Sequence, residues 1–214
     1  MSARRTCMVF LSWVLTVPAS AQQLHYNLNA GGGPGFPLST TSDFVNTSYN
    51  FVAGGGVNPH PHVKLIAEFM FHGLPVQQNV INELGVSNVK GRLYALSGNL
   101  MVGTSIGGGK NVYVIGGGGW YRRTLEAKQK VLQAGTKCEP GWAWWDIECV
   151  DGIFATTVTV ASRTSSAPGF NVGGGITFRL GDTGANIYTE LRYHRAFTHE
   201  IDTTVLPLTF GVRW

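Results

Sequence analysis

Apolar and polar residues alternate with a period of two along most of the chain, and turn residues break the alternation at intervals. Eight segments keep the pattern, at about 23–33, 47–57, 62–72, 91–103, 110–121, 169–180, 185–195 and 204–214. In the sixth, Phe170, Val172, Ile176, Phe178 and Leu180 share one face, and Asn171, Gly173, Gly175, Thr177 and Arg179 the other. The first sets Leu24, Tyr26 and Leu28 against His25, Asn27 and Asn29. The third sets Val63, Leu65, Ala67, Phe69 and Phe71 against Lys64, Ile66, Glu68, Met70 and His72. The fifth is ambiguous, because Val112, Tyr113, Val114 and Ile115 are apolar on both faces. No helix is legible after the first twenty or so residues, so the pattern predicts an all-β chain.

The connections differ in length in a regular way. Asn58 to Pro61, Thr104 to Gly109 and Gly181 to Gly184 are short; about 34–46, 73–90 and 122–168 are long, and about 196–203 is intermediate. Short turns at one end, longer loops at the other and an even strand count predict an antiparallel up-and-down transmembrane β-barrel of about eight strands. Each segment is near the ~9–11 residues that a tilted strand needs to cross a bilayer. Alternation alone does not say which face points inward. A soluble, lipocalin-like barrel keeps its apolar side chains inside, whereas a transmembrane barrel turns them to lipid. Here the polar face is rich in Gly, Asn, Ser and Thr rather than Lys and Glu. Aromatics also recur near segment ends, at Tyr26, Tyr49, Phe71, Trp120, Tyr121, Phe170 and Tyr193. Both features favour the transmembrane arrangement.

Composition points the same way. Charged residues make up 13% of the chain, about half the usual share for a soluble domain, while glycine is about twice its usual frequency. Arg4 and Arg5, an apolar stretch from Cys7 to about Val17, and Ala19-Ser20-Ala21 follow the order of a secretory signal cleaved after Ala21. That apolar stretch is shorter than the roughly 20 residues of a spanning helix. The expected organisation is a signal peptide over 1–21 and one barrel domain over 22–214. Removing Arg4 and Arg5 lowers the net charge from +4 to +2, too small for a nucleic-acid partner.

The chain closes on Leu206-Pro207-Leu208-Thr209-Phe210-Gly211-Val212-Arg213-Trp214. Leu208, Phe210, Val212 and the terminal Trp214 alternate in a pattern that resembles the last strand of outer-membrane barrels, which more often ends in Phe. Tyr188-Thr189-Glu190-Leu191-Arg192-Tyr193-His194 resembles the penultimate strand of the OmpA/OmpX-type family. This resemblance implies a bacterial outer-membrane location with both termini in the periplasm. It also implies contact with outer-membrane lipid, and insertion by the barrel-assembly machinery that reads the final strand. It does not imply a substrate, since barrels of this kind serve as adhesins, structural proteins, small pores and lipid enzymes.

Chemistry is sparse on the chain. Cys138 and Cys149 are expected to pair as a disulfide in the long outer loop, because an exported chain meets an oxidising compartment. Trp142, Trp144 and Trp145 lie in the same loop, either as a contact surface for an extracellular partner or packed on the loop and headgroups. His60 and His62 flank Pro61 without an acidic third ligand, and the glycine runs match no phosphate-loop spacing, so no metal or cofactor is expected. Ser and His show no spacing that would bring a nucleophile to a base, and His194 alternates to the lumen, so no catalytic residue is assigned. Lys64, Glu68, Arg179, Glu190, Arg192 and Arg213 alternate into the lumen. Two readings are open. Glu68 and Glu190 pair with Lys64 and Arg192 in a lattice that closes the barrel, or the charges line a narrow path that selects ions.

Overall fold

The computed structural model describes residues 25–141, 145–181 and 183–214. The expected signal segment 1–21, Leu24, Trp142 and Trp144 lie outside these residues. Eight strands run in chain order: β1 His25–Pro37, β2 Ser48–His60, β3 Val63–Pro75, β4 Asn88–Gly107, β5 Lys110–Pro140, β6 Ile147–Arg179, β7 Asn186–Ala196 and β8 Thr203–Arg213. Each pairs antiparallel with the next, and β8 closes on β1 through contacts such as Asn29↔Arg213 and Phe36↔Leu206. The all-β, up-and-down barrel expected from the alternation is the observed fold.

The alternation also fixes the faces. Leu96 is 64% exposed and Leu93 not at all, because the strand turns successive side chains to opposite sides of the wall. Tyr26, Leu28, Leu65, Phe69, Val114, Trp120, Val172 and Phe210 point outward, while Asn27, Asn29, Glu68, Asn99, Asn171 and Arg192 point inward. The ambiguous fifth segment resolves the same way, with Tyr113 and Ile115 inside and Val112 and Val114 outside.

The two ends differ as expected, and of the long connections only the one between β5 and β6 departs from a loop. At the short-turn end, Gly107, Gly108 and Gly109 all have positive φ, and the β4–β5 turn tightens to Gly108-Gly109. At the other end, the connection before β2 holds a 3-10 turn at Ser39–Asp43. The one before β4 holds a short helix, α1, Gln78–Glu83, with Ile81 buried. The expected loop over 122–168 is the main departure. β5 and β6 keep pairing past the barrel, from Arg122↔Ser166 to Pro140↔Ile147, so a long hairpin replaces the loop. Its residues are rich in Val, Thr and Ile, but from Lys130 to Pro140 and from Ile147 to Ile153 both faces are exposed, so no alternation marks this outer part as strand. The Cys138–Cys149 disulfide joins two directly opposed residues near the hairpin's far end.

A closed eight-stranded wall curves tightly, which crowds its inner face. A Cβ at the inward Gly119 would collide with the Leu96 carbonyl oxygen, whereas at its outward neighbour Gly118 the nearest atom is Gly169 O at 3.5 Å. Gly119→Ala should therefore lower the unfolding stability of the micelle-folded barrel by about 1–3 kcal/mol, and Gly118→Ala should change it little. Urea titration followed by the folded-versus-unfolded gel shift measures both. Equal effects would mean that the wall relaxes freely around an added methyl.

Candidate functional site

The interior is built in layers, each supplied by several strands. Glu68 on β3 and Glu190 and Arg192 on β7 meet at mid-height, all at most 4% exposed. Arg192 holds both acids: Nη1 donates to Glu68 Oε2 and Nη2 donates to Glu190 Oε1. The carboxylates are bound further by neutral donors. Glu68 accepts from Asn29 Nδ2 at 2.7 Å and from Asn99 Nδ2 at 2.6 Å, and Asn171 Nδ2 donates onward to Asn99 Oδ1 at 2.9 Å. Glu190 Oε2 accepts from the Tyr113 hydroxyl at 2.9 Å and lies 3.6 Å from Arg213 Nη2. Charges this deeply buried persist only when paired and hydrogen-bonded, and here each carboxylate oxygen has a donor or cation.

Three of the four expected ion-pair residues come together, and one does not. Lys64 forms no ion pair with either acid; the second cation at the cluster is Arg213. The reason is distance along the strand. Lys64 shares its face with Glu68 but sits four residues away, about 13 Å. Arg192 sits two residues from Glu190 and reaches across the barrel to Glu68. The inward glycines make the space: a Cβ at Gly54 would meet Glu68, one at Gly173 would meet Arg192, and one at Gly175 would meet Tyr113. Alternation placed Arg213 in the lumen but gave no sign of Tyr113, Asn29, Asn99 or Asn171 as partners.

Toward the long-loop end the interior holds an apolar cluster among buried polar side chains such as Asn50, His72 and Thr203, where the alternation predicts a polar lining. Val52, Met70, Leu74, Leu93, Ala95, Tyr121, Ala196 and Val205 form one buried cluster. In the sequence, Met70 on the Lys64 face belongs to this cluster. Ser48 and His72 also meet here, with Oγ and Nε2 3.3 Å apart, contrary to the expectation that no Ser and His would be in reach. Pairing of Asn50 with His72 brings them together. The Ser48 hydroxyl donates to the Gly73 carbonyl, and His72 Nδ1 has no hydrogen-bond partner among the described residues, so no third group orients the imidazole as a base. His194 instead meets the Tyr121 hydroxyl at 3.0 Å.

At the surface, the rings of His60 and His62 lie 5.5 Å apart, and no group of three metal-ligating side chains gathers among the described residues. Leu208, Phe210, Val212 and Trp214 lie on the outward face of β8, with the Trp214 backbone paired to Leu28. Trp145 is 88% exposed between β5 and β6.

Solved structures share this fold. Neisserial surface protein A aligns with a TM-score of 0.60 at 8% identity, over 90% of this chain and 98% of that one. The fold is that of the small eight-stranded outer-membrane barrels. A major outer membrane protein from Thermus thermophilus aligns at 0.52 and 9% identity, over 90% of this chain and 99% of its own. No family model and no curated protein sequence matches the chain.

The shared guanidinium makes a clear forecast for this barrel. Glu68→Ala or Glu190→Ala should each lower stability by about 3–5 kcal/mol where the layer stays dry. The double variant should lose less than the sum, because both acids bind Arg192. Lys64→Met should not lower it, and Gln133→Ala in the hairpin serves as control. Denaturant unfolding of micelle-folded protein decides this; additive acid variants would show two independent sites.

Proposed function

We propose that the chain is an outer-membrane barrel with a structural and surface-interaction role, its lumen closed and its β5–β6 hairpin presented to an extracellular partner. The hairpin carries the reading. Past the last pairing with β4, at Asn88↔Lys128, it continues as a two-stranded ribbon for about twelve residues, roughly 40 Å. A segment of that length serves no purpose in closing the wall.

Several observations support the membrane setting. The outward belt of Tyr26, Leu28, Phe69, Leu96, Val114, Trp120 and Phe210 would be an unacceptably large apolar surface in water, and lipid covers it without cost. Both barrel termini lie at the short-turn end, which in this reading faces the periplasm, after export by the 1–21 signal. The outward Leu208, Phe210, Val212 and Trp214 then present the strand read by the assembly machinery. The closed lumen is supported by the Arg192 layer and the apolar cluster, both buried inside the barrel. The competing reading is a small ion-conducting pore. The Ser48–His72 pair faces the lumen rather than lipid, which disfavours a lipid-modifying enzyme.

Two measurements test the proposal on the full mature chain. Protease added to intact cells should cut within 129–159 and leave the barrel protected, and reduction of Cys138–Cys149 should speed that cut while the barrel stays folded. Planar-bilayer recordings should show no discrete conductance. Steady single-channel steps would install the pore reading, and a hairpin shielded in intact cells would remove the surface role.

A further inference from the structure

Among the described residues the lumen does not balance its charge. Glu68 and Glu190 supply two negative charges, and Lys64, Arg192 and Arg213 three positive ones. Arg192 is committed to both acids, so the surplus falls on Lys64 and Arg213, on the short-turn side of the ionic layer. These two cations line one cavity of about 220 Å³ at that end, with Met101, Asn111, Tyr113 and Thr177 among its walls.

Arg213 is poorly matched to a purely structural role. It is 1% exposed, with the rings of Tyr113 and Tyr188 at 5.1 and 4.7 Å from its guanidinium carbon. Nη1 contacts the Met101 sulfur at 2.9 Å, a weak acceptor, and Nε and Nη2 have no hydrogen-bond acceptor among the described residues. Its nearest acid, Glu190, already accepts from Arg192 and Tyr113. Lys64, half-buried, pairs with no acid among the described residues. Lys110 and Arg179 stand at the same end, against one acid in the short-turn sequences, Asp182, which lies outside the described residues. A buried guanidinium with Nε and Nη2 short of hydrogen bonds, its one acid 3.6 Å away and shared with Arg192, beside an ammonium with no acid partner is an arrangement that an anion would complete.

We propose that this cavity binds a small phosphate-class oxyanion between Lys64 and Arg213, with the Thr177 hydroxyl and the Asn111 amide as neutral donors. The site lies below the Arg192 layer and opens toward the short-turn end, so a solute reaches it from that side without crossing the barrel. The inference does not depend on the role assigned to the hairpin.

Calorimetric titration of inorganic phosphate into the micelle-folded mature chain, at low ionic strength and in non-ionic detergent, tests it. One phosphate should bind per barrel with millimolar or tighter affinity. Lys64→Gln should weaken binding about tenfold or more, Lys64→Arg should restore it, and Lys137→Gln in the hairpin should leave it unchanged. Each variant is checked for folding by its gel shift. Lys64 carries the test because Arg213→Gln also removes the group on which two tyrosines pack. Doping the micelles with phosphatidylglycerol separates sources: suppressed phosphate binding marks a lipid headgroup as occupant, and unchanged binding marks a free solute. No binding at millimolar phosphate, or equal binding by Lys64→Gln, overturns the proposal. Binding that arises only in Asp182→Asn also overturns it, by making Asp182 the counter-ion.

Discussion

Eight strands closed into a ring leave an interior that side chains alone can span, and this width governs the rest of the molecule. Every inward position must be filled, hydrogen-bonded or vacated to glycine. The chain uses all three. Leu74, Leu93, Tyr121 and Val205 fill the half nearer the long loops. Glu68, Glu190 and Arg192 bond to one another at mid-height. Gly54, Gly173 and Gly175 stand where a side chain would strike Glu68, Arg192 or Tyr113. These inward glycines are thus the complement of the large side chains beside them.

The narrow ring also explains why a charged layer is tolerable in so small an interior. A lone carboxylate there would be too costly to ionise. Placing Arg192 two residues from Glu190 and across from Glu68 lets one guanidinium answer both, and Asn29, Asn99 and Tyr113 supply the remaining donors. Such a cluster is weak evidence for stability compared with an apolar replacement, but its geometry requires β3 and β7 to sit in one relative register. It therefore specifies how the ring closes as much as how firmly.

The fold was legible in the sequence because a wall with two unlike surroundings forces a period of two on every strand within it. Where that condition holds, as in β3 and β6 at the barrel, the faces read directly from residues such as Phe69 against Glu68. Beyond the mouth it fails. The ribbon from Gln129 to Pro140 has the same surroundings on both sides, so its strand character left no pattern, and it read as a loop. The site was legible in part for a related reason. Alternation assigns a residue to the lumen but not its height or its reach, so it identifies Glu68, Glu190 and Arg192 but offers Lys64 at the place that Arg213 occupies in the structure. The meeting of Ser48 with His72 depends on pairing across strands, which no single strand's pattern contains.

The hairpin raises a separate physical question, since a two-stranded ribbon that buries nothing is marginal in water. What holds it is constraint at both ends. At its base, Tyr121↔Ala167 and Trp120↔Pro168 belong to the barrel wall, and their register is fixed by the packing of Tyr121 inside it. At the far end, Cys138 and Cys149 are opposed in the same ladder and bonded, which removes roughly 3 kcal/mol of loop freedom from the unfolded segment. A one-residue bulge, between Ala127↔Ala161 and Lys128↔Thr159, offsets the outer ribbon from the wall, so the wall sets the register at the base and the bond sets it beyond the bulge. Leu132, Ile147, Val150 and Ile153 are then held apart from the barrel and from any core of their own. Free apolar residues on a floppy loop would collapse onto one another or onto lipid; on a ribbon clamped at both ends they stay displayed.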